Sequence, residues 1–158
     1  TDENGRTELF WAAHDGLLLK LEDLIKSGSN VNQRDNFDYS PLYWASVNGH
    51  NEVVELLIRS EAKLNLTYVN DWSPLYWASH NGYLSVVKIL IEKEADVNRA
   101  NYVNRTPLHW ATVNNHTEIV QTLVDNGATL SEDQDGYTAL DWARIKEYTE
   151  IVEILEKL

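Results

Sequence analysis

Thr106-Pro107-Leu108-His109-Trp110-Ala111 is one of five near copies of a single stretch. Ser40-Pro41-Leu42-Tyr43-Trp44-Ala45 and Ser73-Pro74-Leu75-Tyr76-Trp77-Ala78 are the next nearest. Thr7-Glu8-Leu9-Phe10-Trp11-Ala12 and Thr138-Ala139-Leu140-Asp141-Trp142-Ala143 are the looser ones. The copies start at residues 7, 40, 73, 106 and 138, separations of 33, 33, 33 and 32 residues. A fixed period of this size means a stack of like supersecondary units, each needing a neighbour to bury its apolar face. Such a stack offers one long surface rather than an enclosed pocket, which suits a binding module.

Each unit opens with Ser or Thr, and the chain's three prolines, Pro41, Pro74 and Pro107, follow directly in the middle units. A hydroxyl N-cap accepts an orphan backbone N–H, and proline at the next position has its φ preset for a helix. A short first helix is therefore expected over about 41–48 in the second unit. Asn48-Gly49 and Asn81-Gly82 supply the left-handed turn that ends it, and Asn114-Asn115 stands there in the fourth unit. The apolar residues Val53, Val54, Leu57 and Ile58 recur as Val86, Val87, Leu90 and Ile91. Their helical spacing predicts core-facing second helices over about 51–59, 84–92 and 117–125. The small Ala45, Ala78 and Ala111 let the paired helices approach closely. Polar connections such as 29–39 are too short for another helix and suit a projecting, β-hairpin-like finger.

The 158 residues include 25 acidic and 13 basic side chains, a formal charge of −12. Such a field repels phosphate backbones and anionic lipid, so neither nucleic acid nor a membrane is an expected partner, while a basic protein surface would be attracted. There is no cysteine, which removes disulfides, cysteine-based zinc sites and thiol nucleophiles and is compatible with a reducing compartment. No stretch approaches the ~20 apolar residues of a membrane span. The expected setting is intracellular and cytoplasmic, and the sequons at Asn65, Asn104 and Asn115 read as chance matches. The chain begins at Thr1 and contains no methionine, which reads as a processed, excised or engineered sequence.

The 33-residue period, Thr106-Pro107-Leu108-His109, the glycine turn, the apolar helix and Ala95-Asp96-Val97-Asn98 together resemble the ankyrin repeat over essentially the whole chain. That resemblance implies an all-α solenoid of five stacked helix–turn–helix units with β-hairpin-like fingers. The units fall at about 1–34, 35–67, 68–100, 101–132 and 133–158, in one domain. It also implies a hydrogen-bonded tie between the threonine and histidine of the motif, altered where Tyr43 and Tyr76 replace the histidine. The family's glycine after the second helix is present as Gly28 and Gly127 and replaced by Glu61 and Glu94. A positive φ at those glutamates would cost roughly 1 kcal/mol each. Lys20 and Asp23 replace Val53 and Leu56, and Glu156 replaces Ile58, so the first and last units are expected to act as polar caps of a complete domain.

In the family, the fingers and first helices form a concave surface that grips partner proteins. Carried onto this chain, the finger positions are Phe37, Tyr39, Val69, Trp72, Tyr102, Arg105 and Tyr137. Large aromatics and arginine at turn tips are what binding hot spots favour, although some of these rings could instead pack sideways and stiffen the array. Beside them runs a ladder of tryptophans, Trp44, Trp77 and Trp110 with Trp11 and Trp142 at its ends, expected to be partly buried. Tyr43, Tyr76 and His109 vary between units and are expected as contacts, with His80 on the same stripe. Asn98 also lies in a pattern resembling the asparagine-hydroxylation site of ankyrin repeats, or else only bonds a finger turn.

The sequence holds no Gly-rich phosphate loop, nucleophile elbow or His-Glu-x-x-His. The five histidines fall at repeat-defined positions. No catalytic residue, metal site or cofactor is expected. The reading is a non-catalytic protein–protein recognition module, monomeric on its own, with a structural or self-associating repeat as the alternative. The missing Cys and Met and the aromatic fingers also fit a binder made by engineering.

Overall fold

The computed structural model describes residues 1–65 and 72–158. These residues form ten helices and no strand: α1 (Glu8–His14), α2 (Leu18–Lys26), α3 (Pro41–Val47), α4 (Asn51–Arg59), α5 (Pro74–Asn81), α6 (Leu84–Glu92), α7 (Pro107–Val113), α8 (Thr117–Asp125), α9 (Ala139–Ile145) and α10 (Thr149–Leu155). Each odd-numbered helix packs on the even-numbered helix that follows it. The odd helices also touch one another in order, as do the even ones, giving two parallel rows along a solenoid. The expected second helices at 51–59, 84–92 and 117–125 have those bounds, and the architecture is the all-α repeat stack that the period predicts.

Different chemistry starts the two kinds of helix. The hydroxyls of Thr7, Ser40, Ser73 and Thr138 accept the backbone N–H three residues on, and Pro41, Pro74 and Pro107 occupy the first turn. The second helices have no side-chain cap. In three units the large ring at that point reaches back to the preceding unit instead. The His50 and His116 rings bond the carbonyls of His14 and His80 through Nε2 (2.9 and 3.0 Å). His50, Tyr83 and His116 also lie against Gly16, Gly49 and Gly82, where an added Cβ would come within 2.7 Å of the ring. Those glycines have φ of 73°, 74° and 82°. Both the backbone conformation and the close approach therefore require glycine at these turns.

One core runs through all units. Ala45, Ala78, Ala111 and Ala143 are fully buried between the rows, as are Val54, Leu57, Val87, Leu90, Val120 and Leu123. Asparagine amides tie neighbouring units at the far side. Asn32 donates to the Glu61 carbonyl (3.0 Å) and accepts from the Lys63 N–H (2.8 Å). Asn98 does the same with the Gly127 carbonyl and the Thr129 N–H, both at 2.9 Å. At the first unit Lys20 is exposed and pairs with Glu8 at 2.7 Å, and at the last Glu156 pairs with Arg144 at 2.8 Å.

Glu61 and Glu94 adopt φ of 66° and 65°, the conformation of Gly28 and Gly127 at the equivalent turns. L-residues pay for this conformation through a Cβ–carbonyl clash of about 1 kcal/mol. Glu61→Gly and Glu94→Gly should each raise the midpoint of thermal unfolding by a few degrees, of the order expected from about 1 kcal/mol in a domain of this size. A fall in both midpoints by circular dichroism would show that the glutamates contribute more than their backbone strain costs.

Candidate partner-binding face

The fingers among the described residues are built on one device. The Asp35 side-chain oxygen accepts from the N–H groups of Phe37 (3.0 Å) and Tyr39 (2.9 Å), while its carbonyl accepts from Asp38. Asn101 does the same for Val103 (3.1 Å) and Arg105 (2.9 Å), and Asp133 for Asp135 and Tyr137, both at 3.0 Å. Asp2 makes the equivalent turn before the first helix, bonding the N–H groups of Asn4 and Arg6. The fourth residue of each turn has positive φ: Gly5, Asp38, Asn104 and Gly136. Successive tips are joined through their backbones, Asn36 N–H to the Asn4 carbonyl (2.8 Å) and Gln134 N–H to the Val103 carbonyl (3.0 Å). The described fingers are thus hydrogen-bonded turns, with no strand assigned among the described residues.

Rings expected at the tips divide into two groups. Phe37, Tyr102 and Tyr137 stand out, 52%, 63% and 41% exposed. Tyr39 and Trp72 instead lie back over the first helices and are half-buried. Tyr39 stacks on Tyr43 with centroids 4.3 Å apart, and Trp72 stacks on Tyr76 at 5.6 Å. Val69 lies outside the described residues.

The expectation that Tyr43, Tyr76 and His109 are contact positions is corrected by their burial, at 4%, 2% and 1% exposed. These residues sit three places after the cap, where the side chain turns under the base of its own finger. His109 shows what such a ring does. Its Nδ1 accepts the Thr106 backbone N–H at 3.1 Å, so Nε2 carries the proton and donates to the Tyr137 carbonyl of the next finger at 3.2 Å. The threonine hydroxyl lies 3.0 Å from the same Nδ1. Tyr76 spans the same gap, its hydroxyl accepting from the Asn101 amide at 3.5 Å, and burial pushes its phenol far above the ordinary range. These rings hold unit to unit.

The tryptophan ladder is partly buried along its length, with Trp11 the most open rung at 38%. Its two ends and its middle differ. Trp11 donates its indole N–H to Asp2 (3.3 Å), and Trp142 donates to Asp133 (3.0 Å). The indole nitrogens of Trp44, Trp77, Trp110 and Trp72 are buried with no hydrogen-bond acceptor. Those indoles instead meet neighbouring rings edge-on. Trp44 meets Tyr43 at 81°, Trp77 meets Tyr76 at 80°, and Trp110 meets Tyr76 at 67°. Such arrangements set a positive ring edge against a negative ring face. His14 lies between Trp11 and Trp44, 5.3 Å from each, and His80 lies between Trp77 and Trp110 at 5.2 and 4.9 Å.

Two arginines close the ends of the ladder. Arg6 lies over Phe10, Trp11 and Trp44 at 5.1, 5.3 and 5.9 Å, with Nε 3.2 Å from Asp35. Arg105 lies over Trp110 and Trp142 at 5.4 and 5.2 Å, with Nε 2.9 Å from Asp133. Desolvation raises the Asp133 pKa. Bonds from the Tyr137 N–H, the Trp142 indole, Arg105 and the Asp135 N–H outweigh it and leave the carboxyl below its ordinary value. Sequence reasoning had Arg105 as a contact and missed Arg6, Asp35 and Asp133. Their signal was register: Arg6, Tyr39, Trp72, Arg105 and Tyr137 share one position, immediately before the cap. Between the fingers, Trp72, Trp77, Tyr102, Trp110 and Asp135 help line a cleft of about 380 Å³.

Among the described residues no group of three His, Cys, Asp or Glu is placed to hold a metal ion. No helix there is long and apolar enough to cross a membrane. A family model described as ankyrin repeats (3 copies) matches residues 9–101 and again 99–157. The chain belongs to the ankyrin-repeat family, whose members are generally protein–protein interaction modules. No curated protein matches it.

Burial lowers the His109 pKa below the ordinary histidine value, with the Tyr137 carbonyl opposing. A depressed folded pKa means that the unfolded chain binds the proton more readily. Its stability contribution is therefore complete above about pH 6.5 and declines as pH falls below that. In His109→Tyr, the residue type of the second and third units, unfolding free energy from urea titrations should depend less steeply on pH between about 7 and 5. An unchanged slope would place the titrating group elsewhere. For Arg105→Ala, loss of one partner of the buried Asp133 carboxylate should cost about 1–3 kcal/mol. Arg105→Lys, which keeps the charge but not the planar fork, should recover only part of it. Full recovery by lysine would mean that charge alone matters.

Proposed function

We propose that the chain is a non-catalytic recognition module that binds a partner protein on its concave face, made by the finger turns and first helices. The observation that carries this is the exposure of Phe37, Tyr102 and Tyr137 on turns fixed by Asp35, Asn101 and Asp133. Apolar rings held out on a rigid frame lose little entropy when a partner covers them, which is how interface anchors work. Behind them the half-buried indoles of Trp44, Trp77 and Trp110 supply further apolar area, together with His80, while Tyr39, Trp72 and Arg105 shape the floor. The charge of −12 favours a partner with a basic surface and raises its association rate.

The test compares the native chain with Phe37→Ser/Tyr102→Ser/Tyr137→Ser by affinity capture and light scattering. All three rings are exposed, so helicity and the unfolding midpoint should be unchanged while a captured protein is lost. Capture unaffected by the triple substitution would move the interface off this face. A mass that grows with concentration, and reverts in the variant, would mean that the rings pair between copies, and the proposal would fall.

A further inference from the structure

The chain's own arginines show what the gaps between successive tryptophans accept. At the first gap, Trp11 to Trp44, the guanidinium of Arg6 lies within 5.9 Å of both rings. At the last, Trp110 to Trp142, Arg105 lies within 5.4 Å of both. Each guanidinium also meets an aspartate of the next finger. In the two middle gaps the same position holds Tyr39 and Trp72, which bring more aromatic surface and no charge.

The gap between Trp77 and Trp110 opens as the 380 Å³ cleft. The side chains of Trp72, Trp77 and Trp110 line it, Tyr102 lines it at 63% exposure, and Asp135 lies on its lip with a side chain 68% exposed. Arg105 also lines the cleft, its guanidinium 5.4 Å from the Trp110 ring, where the buried Asp133 (2.9 Å) balances its charge and leaves Asp135 (3.4 Å) as the carboxylate on the lip. That one lip carboxylate beside aromatic side chains favours a cation on the Trp72 and Trp77 side of the cleft.

Resting on the recognition reading above, we propose that this cleft receives an arginine side chain from a basic segment of the partner protein. In this unit Trp72 holds the position that Arg6 and Arg105 hold at the ends, and the incoming guanidinium would lie beside its indole and meet Asp135. A planar cation suits the site better than an ammonium, because it can lie flat on an indole and still donate sideways to a carboxylate. The overall charge of −12 steers such a segment toward the face.

The test is a titration of the ¹⁵N-labelled full chain with a hexa-arginine peptide at about 0.15 M salt, where long-range attraction is screened beyond ~8 Å. The readout is the set of indole N–H resonances. Saturable shifts are expected at Trp72, Trp77 and Trp110, with Trp11 nearly still. Tyr102→Ser and Asp135→Asn, both exposed positions, should each weaken binding by about threefold to tenfold without moving the unfolding midpoint. A hexa-citrulline peptide, which keeps the shape and loses the charge, should not bind, and hexa-lysine should bind less tightly. Shifts that bypass these indoles, citrulline binding equal to arginine, or lysine as tight as arginine would each overturn the proposal. If the triple finger variant loses its captured protein while hexa-arginine ignores the cleft, the concave-face reading stands and the arginine assignment alone fails.

Discussion

Each described finger keeps its shape because one side-chain oxygen accepts two backbone N–H groups, two and four residues further on. Asp35 and Asp133 do this while almost wholly buried, at 6% and 4% exposed. Without that acceptor the turn's amides would be left unpaired at the base of the finger, at a cost of about 1–3 kcal/mol for each group. The arrangement of the finger side depends on this bond. It sets the direction of the tip rings, places the carbonyl that receives His109 Nε2, and leaves the second carboxylate oxygen of Asp35 or Asp133 free to meet an arginine from the preceding finger. One aspartate thereby links turn conformation, unit stacking and surface charge.

Arginine and aspartate are matched across unit boundaries. Arg6 precedes Asp35 and Arg105 precedes Asp133, whereas Trp72 precedes the neutral Asn101. Asparagine retains the acceptor that closes the turn but offers no second carboxylate oxygen. At that boundary the contact of Tyr76 with Trp110 and the bond from the Asn101 amide to the Tyr76 hydroxyl stand where the arginine–aspartate pair stands elsewhere. Arginine–aspartate pairs mark the ends of the ladder, and its middle is packed with rings. The orphaned indole donors lie in that middle.

Much of this was legible in the chain. Period, caps, prolines and the glycine turns gave every element, because each acts within a few residues and leaves a local mark. The positive φ at Glu61 and Glu94 was legible too, since a turn of fixed geometry recurs at a fixed register. Side-chain burial was not. Tyr43 and Tyr102 are both tyrosines near a cap, yet one is 4% and the other 63% exposed. The difference arises because one lies three places after its cap Ser40, under its finger, and the other four places before its cap Thr106, at the tip. Variation between units suggested contact at Tyr43, Tyr76 and His109, but a slot between fingers tolerates any ring that fills it and spans to the next finger. Asn98 was legible only as an ambiguity, and the structure commits both ends of its amide across the unit boundary.

Hydrogen-bonded tips beside a packed aromatic ladder have a consequence for the proposed recognition role. The tips joined by Asn36 to Asn4 and by Gln134 to Val103 cannot splay apart without breaking a backbone bond. On the proposed recognition role, a partner would have to fit the spacing of the rungs there, and selectivity would come from which side chains arrive at which gap. Where Arg6 and Arg105 already lie between tryptophans, those gaps have little to gain from a second cation. Beside Trp77 stand Trp72, Tyr76 and His80, and Arg105 reaches the Trp110 side of that gap. On the recognition role proposed above, the centre of the face is where a partner would find uncommitted aromatic surface, and central anchors are best shielded from water by the less energetic contacts around them.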